Sequence, residues 1–162
     1  MQIDYKEMTS ELLEKIIAEY GNREERYSKD FETTIREHIH FEDGSYSVAA
    51  LHDGKPVGFI SAYTKSLAKP LQNEKDAYID ILEVDINYRR QGIAKDLVKQ
   101  AEEWVQRSGY SQIRSWSSED KTEAIPMWYS LGYCVCPAKI WVEWCKEVVD
   151  GYYVAKKFNT TK

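Results

Sequence analysis

Between Tyr78 and Leu97 the chain reads YIDILEVDINYRRQGIAKDL, and the change of period inside this segment constrains the fold most. Tyr78 to Ile86 is β-rich. From Arg90 to Arg107 the apolar residues Ile93, Leu97, Val98, Ala101, Trp104 and Val105 share one helical face. Arg89-Arg90-Gln91-Gly92-Ile93-Ala94 is therefore a strand-to-helix join. A helix N-terminus offers backbone N–H groups without intrahelical acceptors, at the positive end of the helix dipole. Gly92 removes a side chain where an anion would approach, and Ala94 stays small, so Arg90 to Lys95 forms a candidate pyrophosphate cradle. Asp85 to Lys99 holds four bases and two acids, a cationic stretch in a chain of net charge −5. Neither GxxxxGKS/T nor GxGxxG, the nucleoside-triphosphate and dinucleotide patterns, occurs.

Around this segment the pattern alternates between strand and helix. Ile3 to Lys6 reads as a short strand, and Thr9 or Ser10 caps a helix bearing Leu12, Leu13, Ile16, Ile17 and Tyr20 on one face, ended by Gly21. Phe31, Ile35 and Ile39 mark a second helix after the charged loop Asn22 to Lys29. Ser45 to Leu51 and Lys55 to Tyr63 are strands joined by the hairpin signal Asp53-Gly54. Lys65 to Lys75 is a polar loop, and Gly109 closes the long helix. Gln112 to Ser117 reads as a strand, Thr122 to Ser130 as a helix and Tyr133 to Cys136 as a strand. Pro137 to Val149 reads as a long loop whose Trp141 and Trp144 pack beneath it or wall a pocket, packing being preferred. Asp150-Gly151 precedes a last strand, Tyr152 to Lys157. The order describes an α/β (α+β) fold: a mixed, mostly antiparallel sheet of about six to seven strands with about four helices.

A chain of 162 residues suits one domain, 1–162, with a real core. With 43% hydrophobic and 30% charged residues it is too apolar for disorder, and no apolar run is long enough to span a bilayer. The acids of MQIDYKEMTSELLEK stand where a signal peptide needs an apolar stretch, so a cytoplasmic address without a membrane partner is expected. The acidic balance argues against a nucleic-acid partner. It is also local: Met1 to Asp53 carries 13 acids and 6 bases, the remainder 14 and 16. That first third leans weakly towards a cationic substrate, a solvated acidic surface being the preferred reading. Cys134, Cys136 and Cys145 are odd in number and lack a CxxC pair, which suits reduced thiols. His38 and His40 lack a third ligand at metal spacing, so no metal is expected.

Arg89-x-x-Gly92-x-Ala94, after Leu82-Glu83-Val84 and before an amphipathic helix, resembles the acyl-coenzyme-A signature of the GNAT N-acetyltransferases. Glu123 to Tyr133, EAIPMWYSLGY, is similar to the family's second signature, a helix ending in an aromatic and a Leu-Gly-aromatic turn. The resemblance implies a single-domain GNAT fold with acetyl-coenzyme A as co-substrate. It implies that backbone groups near Val84 and Ile86 pair with pantetheine, and that an amide near Val84 stabilises the thioester oxyanion. It also implies that Arg89 and the N–H groups of Arg90, Gln91, Gly92, Ile93, Ala94 and Lys95 hold the pyrophosphate. Ile86 stands where many relatives have proline.

The tyrosine that protonates the leaving thiolate in such enzymes lies four residues before the turn glycine; here that place holds Trp128, and Tyr129 is one residue nearer Gly132. An indole donates a hydrogen bond but is no practical acid, so Trp128 is assigned to packing against pantetheine. Tyr129 is the candidate acid or a packed aromatic, rotated by about 100° from Trp128. Acetylation of an amine also needs its proton removed. Asp80 and Glu83 are the nearest strand carboxylates, on opposite faces, and either is a candidate base or a solvated strand residue. Asp80 lies four residues before Val84, where some aminoglycoside-acetylating relatives carry a carboxylate. The expected enzyme transfers acetyl to a primary amine, a small cationic amine being favoured over a protein amine, by direct attack in a ternary complex. The alternatives are a non-catalytic acyl-coenzyme-A-binding module and an interaction domain. A homodimer stays open.

Overall fold

The computed structural model describes residues 1–20, 31–67, 75–142 and 146–159. Its elements are β1 (Asp4–Glu7), α1 (Ser10–Tyr20), α2 (Phe31–His38), β2 (Ser45–His52), β3 (Lys55–Ser66), β4 (Lys75–Val84), α3 (Ile93–Arg107), β5 (Gln112–Ser118), α4 (Ile125–Ser130), β6 (Cys134–Val142) and β7 (Glu147–Lys157). Short 3-10 turns occupy Ile86–Tyr88 and Glu119–Ala124. The seven strands bond in the order β1-β2-β3-β4-β5-β7-β6. The β1–β2, β2–β3, β5–β7 and β6–β7 ladders are antiparallel, and β4–β5 is parallel. This is the mixed sheet with four helices that the sequence pattern implied. No described helix is long and apolar enough to cross a membrane. The Gly21 helix stop, the Asn22 to Lys29 loop, most of the Lys65 to Lys75 loop, Trp144 and Cys145 lie outside the described residues. The chain divides into two compact units, Met1–Thr64 with Ile79–Trp104, and Lys65–Tyr78 with Val105–Lys162.

In the first unit the apolar face of α1 (Leu12, Leu13, Ile16, Ile17, Tyr20) is buried with Ile35, Ile39, Leu51 and Phe59. The Thr9 hydroxyl accepts the Leu12 N–H at 3.1 Å, capping α1. Asp53 and Gly54 have φ of 51° and 77°, the left-handed pair a two-residue hairpin turn requires. Gly58 lets β3 close on the end of β4: a Cβ there would stand 3.0 Å from the Glu83 carbonyl oxygen and 3.3 Å from Ile93. The strand containing Tyr78 begins earlier than its pattern suggested, at Lys75, and ends earlier, at Val84, where the Asp85 carboxylate accepts the Asn87 N–H at 2.9 Å and turns the chain.

The second unit overturns four expectations. The expected helix Thr122 to Ser130 is a 3-10 turn followed by α4, which starts where Pro126 can occupy a first-turn position. The long loop Pro137 to Val149 is instead the paired hairpin of β6 and β7. Pro137 is accommodated in β6 because that strand ends the strand order. Trp141 lies on β6, 54% exposed, rather than packed beneath a loop. Asp150-Gly151 lies inside β7: a side chain at Gly151 would collide with the Ser117 carbonyl and the Trp116 ring. Asp76, fully buried, accepts from Arg114 Nε and from Gln112 Nε2 at 2.9 Å.

Candidate active site

The residues singled out between Asp80 and Lys95 all fall in the first unit. The β4–β5 ladder joins Ala77 to Ile113 and Tyr78 to Arg114, and β4 runs on through Ile79–Val84 beyond those pairs. After Val84 the chain enters the 3-10 turn, so Ile86 is not a strand residue as expected. Its side chain is 62% exposed and its carbonyl accepts the Arg89 N–H at 3.5 Å.

The join to α3 is conformationally unusual. Arg89 is extended (φ −68°, ψ 162°), while Arg90 and Gly92 have φ of 62° and 91°. Left-handed residues are rare outside glycine, and alternating them with ordinary ones turns successive N–H groups towards one concavity, an anion-binding nest. A Cβ on Gly92 would meet nothing within 4 Å, so backbone conformation and open space, rather than crowding, favour glycine. The Asp96 N–H bonds to the Gly92 carbonyl at 3.0 Å. The N–H groups of Ile93, Ala94 and Lys95 therefore precede the first turn's acceptors. Arg90, Gln91 and Lys95 are exposed. Arg89 is not: its Nε donates to the Val84 carbonyl and its Nη2 to Glu83, each at 3.1 Å. Arg89 thus ties the end of β4 to the turn.

The two strand carboxylates take different partners. Glu83 is the ion-pair partner of Arg89. Asp80 Oδ2 lies 2.8 Å from Nε2 of His40, whose Nδ1 lies 2.9 Å from Glu42 Oε1. The His40 ring sits on Tyr63 with centroids 4.3 Å apart. Backbone hydrogen bonds, first from its own N–H, hold the Glu42 carboxyl below the usual carboxylate range against the opposing effect of burial, and His40 and the Phe41 N–H add to this. His40 figured in the sequence only as half of an HxH; its partner stands 40 residues away, a pairing no local pattern encodes. Among the described residues no group of three His, Cys, Asp or Glu side chains is placed to hold a metal.

Trp128 and Tyr129 belong to the second unit. The N–H of Tyr133 bonds to the Trp128 carbonyl, and that of Gly132 (φ 82°) to the Tyr129 carbonyl, both at 3.0 Å. This is the six-to-one and five-to-two pattern that ends helices at a left-handed glycine, with an apolar contact across it. Trp128 supplies that contact: it is 5% exposed, its ring 4.8 Å from that of Tyr133. Tyr129 points out, 60% exposed.

The strand β4 outruns its β5 ladder and leads into left-handed residues at a helix start, and the class of protein is acetyltransferase. The chain belongs to the GNAT acetyltransferase family, whose model matches residues 9–133. Solved structures share the fold. NAA60 of Arabidopsis thaliana, in complex with a bisubstrate analogue, is 18% identical with TM-score 0.71, covering 99% of this chain and 100% of its own. The ribosomal-protein-S18-alanine N-acetyltransferase of Escherichia coli is 15% identical, TM-score 0.70, covering 99% and 97%. The aminoglycoside 6'-N-acetyltransferase AAC(6')-Ih of Acinetobacter baumannii is 19% identical, TM-score 0.64, covering 82% and 91%. No curated protein sequence matches the chain significantly.

Proposed function

We propose that the chain acts as one cytoplasmic N-acetyltransferase domain that moves acetyl from acetyl-coenzyme A to a primary amine by direct attack. The observation that carries this reading is the run of β4 past its ladder into the left-handed Arg90–Gly92 nest ahead of α3. The N–H groups from Arg90 to Lys95 would hold the pyrophosphate, with Gly92 leaving room for it. Backbone groups near Val84 would pair with the pantetheine amides, one N–H donating to the thioester oxygen as negative charge grows there. The Val84 carbonyl is already taken by Arg89, so the donor side of this segment does the work.

Asp80 is the better candidate base of the two carboxylates, since Glu83 is held by Arg89. It would take the ammonium proton so that the nitrogen lone pair forms the new C–N bond as the C–S bond breaks. Tyr129, assigned on the family resemblance, would give the departing sulfur its proton; its exposure suits that role better than the buried indole of Trp128. A small cationic amine is the favoured acceptor, supported by the acidic first third. A protein amine is the second reading, supported by the neighbour named for acetylating an alanine of a ribosomal protein, which covers nearly the whole chain.

The test is acetyl-coenzyme-A consumption with spermidine, kanamycin and a peptide with a free N-terminal alanine. Turnover with an amine identifies the enzyme and its acceptor class. Binding of coenzyme A with no turnover on any of them favours a non-catalytic module.

A further inference from the structure

We propose that His40 is the positioning residue of the amine-deprotonating site, fixing the Asp80 carboxylate and being fixed in turn by Glu42; this rests on Asp80 being the base. A carboxylate can only accept hydrogen bonds, and each ring nitrogen of His40 has one within reach: Asp80 Oδ2 at 2.8 Å and Glu42 Oε1 at 2.9 Å. Both ring nitrogens of His40 therefore face carboxylate oxygens, and neither is left open towards a substrate. That rules it out as the base itself, because the base needs a nitrogen lone pair facing the substrate.

The residue is also anchored more firmly than a surface histidine needs to be. Its N–H donates to the Ser61 hydroxyl at 3.0 Å, and its carbonyl accepts from the Ser47 hydroxyl at 2.8 Å. Those two hydroxyls bond each other at 2.7 Å. Tyr63 covers the ring face. The side chains of His40 and Asp80 are only 17% and 20% exposed, so a misaligned carboxylate there would lose solvent as well as its partner. With Oδ2 held by Nε2–H, Oδ1 is the atom left to meet the substrate ammonium.

Such geometry assigns His40 an effect on rate rather than on coenzyme binding, and one that exists only through Asp80. Losing a residue that orients a functional ligand costs about 10–100-fold. The experiment compares His40→Ala, His40→Gln, Asp80→Asn and the His40→Ala/Asp80→Asn double variant on spermidine, kanamycin and the alanine peptide, with coenzyme-A thermal shifts to verify folding. Expected are a tenfold or greater fall in kcat for His40→Ala with unchanged KM for acetyl-coenzyme A, and partial recovery in His40→Gln, whose amide can still donate to Asp80. The double variant should be no slower than Asp80→Asn alone, as for residues acting as a unit. In parallel, ring-nitrogen NMR of the wild-type chain should show the proton on His40 Nε2, and a shifted Nε2 signal in Asp80→Asn.

Wild-type kcat in His40→Ala, independent losses in the double variant, or an unprotonated Nε2 overturns the proposal. The NMR arm stands even if His40→Ala fails to fold. Full activity in Asp80→Asn instead removes the base assignment, and the inference with it.

Discussion

Gly92 and Gly54 allow the anion nest to be separated from ordinary backbone strain. Both are left-handed, at φ 91° and 77°, and an added Cβ would meet nothing within 4 Å at either. Alanine at each site therefore carries the same local penalty, about 1–2 kcal/mol for holding an L-residue in the left-handed region. For a chain of this size that lowers Tm by roughly 2–4 °C per kcal/mol. The difference lies in what surrounds them: Gly54 turns the β2–β3 hairpin, whereas Gly92 precedes the N-terminal N–H groups of α3. Coenzyme A at 100 times its dissociation constant stabilises the wild-type chain by about 2.7 kcal/mol. A tenfold weaker Gly92→Ala would keep only about 1.4 kcal/mol at the same concentration. Gly54→Ala should lose stability and keep the full coenzyme increment; Gly92→Ala should lose both. Differential scanning fluorimetry with a coenzyme-A titration reads both quantities. Equal coenzyme increments in the two variants would refute the nest, and a larger increment from ATP or NAD would refute the choice of ligand.

Further expectations concern both units. Tyr129→Phe should lower kcat at least about tenfold, the lower part of the range for general acids, with coenzyme-A affinity unchanged. Trp128→Ala should instead cost about 3–5 kcal/mol in denaturant unfolding, as expected for a buried aromatic. Arg114→Ala should cost about 3 kcal/mol or more by leaving the buried Asp76 without its guanidinium, and Asp76→Asn in that background should recover part of it. Burial, then the Asp96 carboxylate, pushes the Tyr5 hydroxyl up to about 12. Its contribution is complete below pH 10 and is lost as pH rises through about 12. Tyr5→Phe, with no hydroxyl to ionise, should therefore show a shallower alkaline decline in stability-versus-pH curves.

What could be read in the chain without coordinates depended on how local its cause is. The α1 face, the Asp53-Gly54 hairpin and the α3 stripe follow from spacing within one element, and each forms where expected. The loop reading from Pro137 and the turn reading at Asp150-Gly151 failed where the cause lies on a neighbouring strand. Pro137 is harmless because β6 ends the strand order, and Gly151 serves the Trp116 ring rather than a turn. The carboxylates show the same limit at the site. Asp80 and Glu83 are indistinguishable as strand acids until Arg89 takes one and His40 the other.

The second signature raises a separate question, because its most regular residues do no chemistry. Leu131-Gly132-Tyr133 ends α4 through the bonds from Tyr133 to Trp128 and from Gly132 to Tyr129. That pattern demands a left-handed residue at 132 and an apolar contact between 128 and 133. A chain conserving nothing but this helix end would still display Trp-x-x-x-Gly-Tyr, so the signature fixes where α4 stops and which ring is buried. It is silent on which side chain protonates sulfur. That role needs an ionisable group on the outward side of the same turn, and adjacent helical residues point about 100° apart. Here the contact claims position 128 and the phenol at 129 is exposed, so the Tyr129→Phe measurement decides whether the neighbouring position carries the acid.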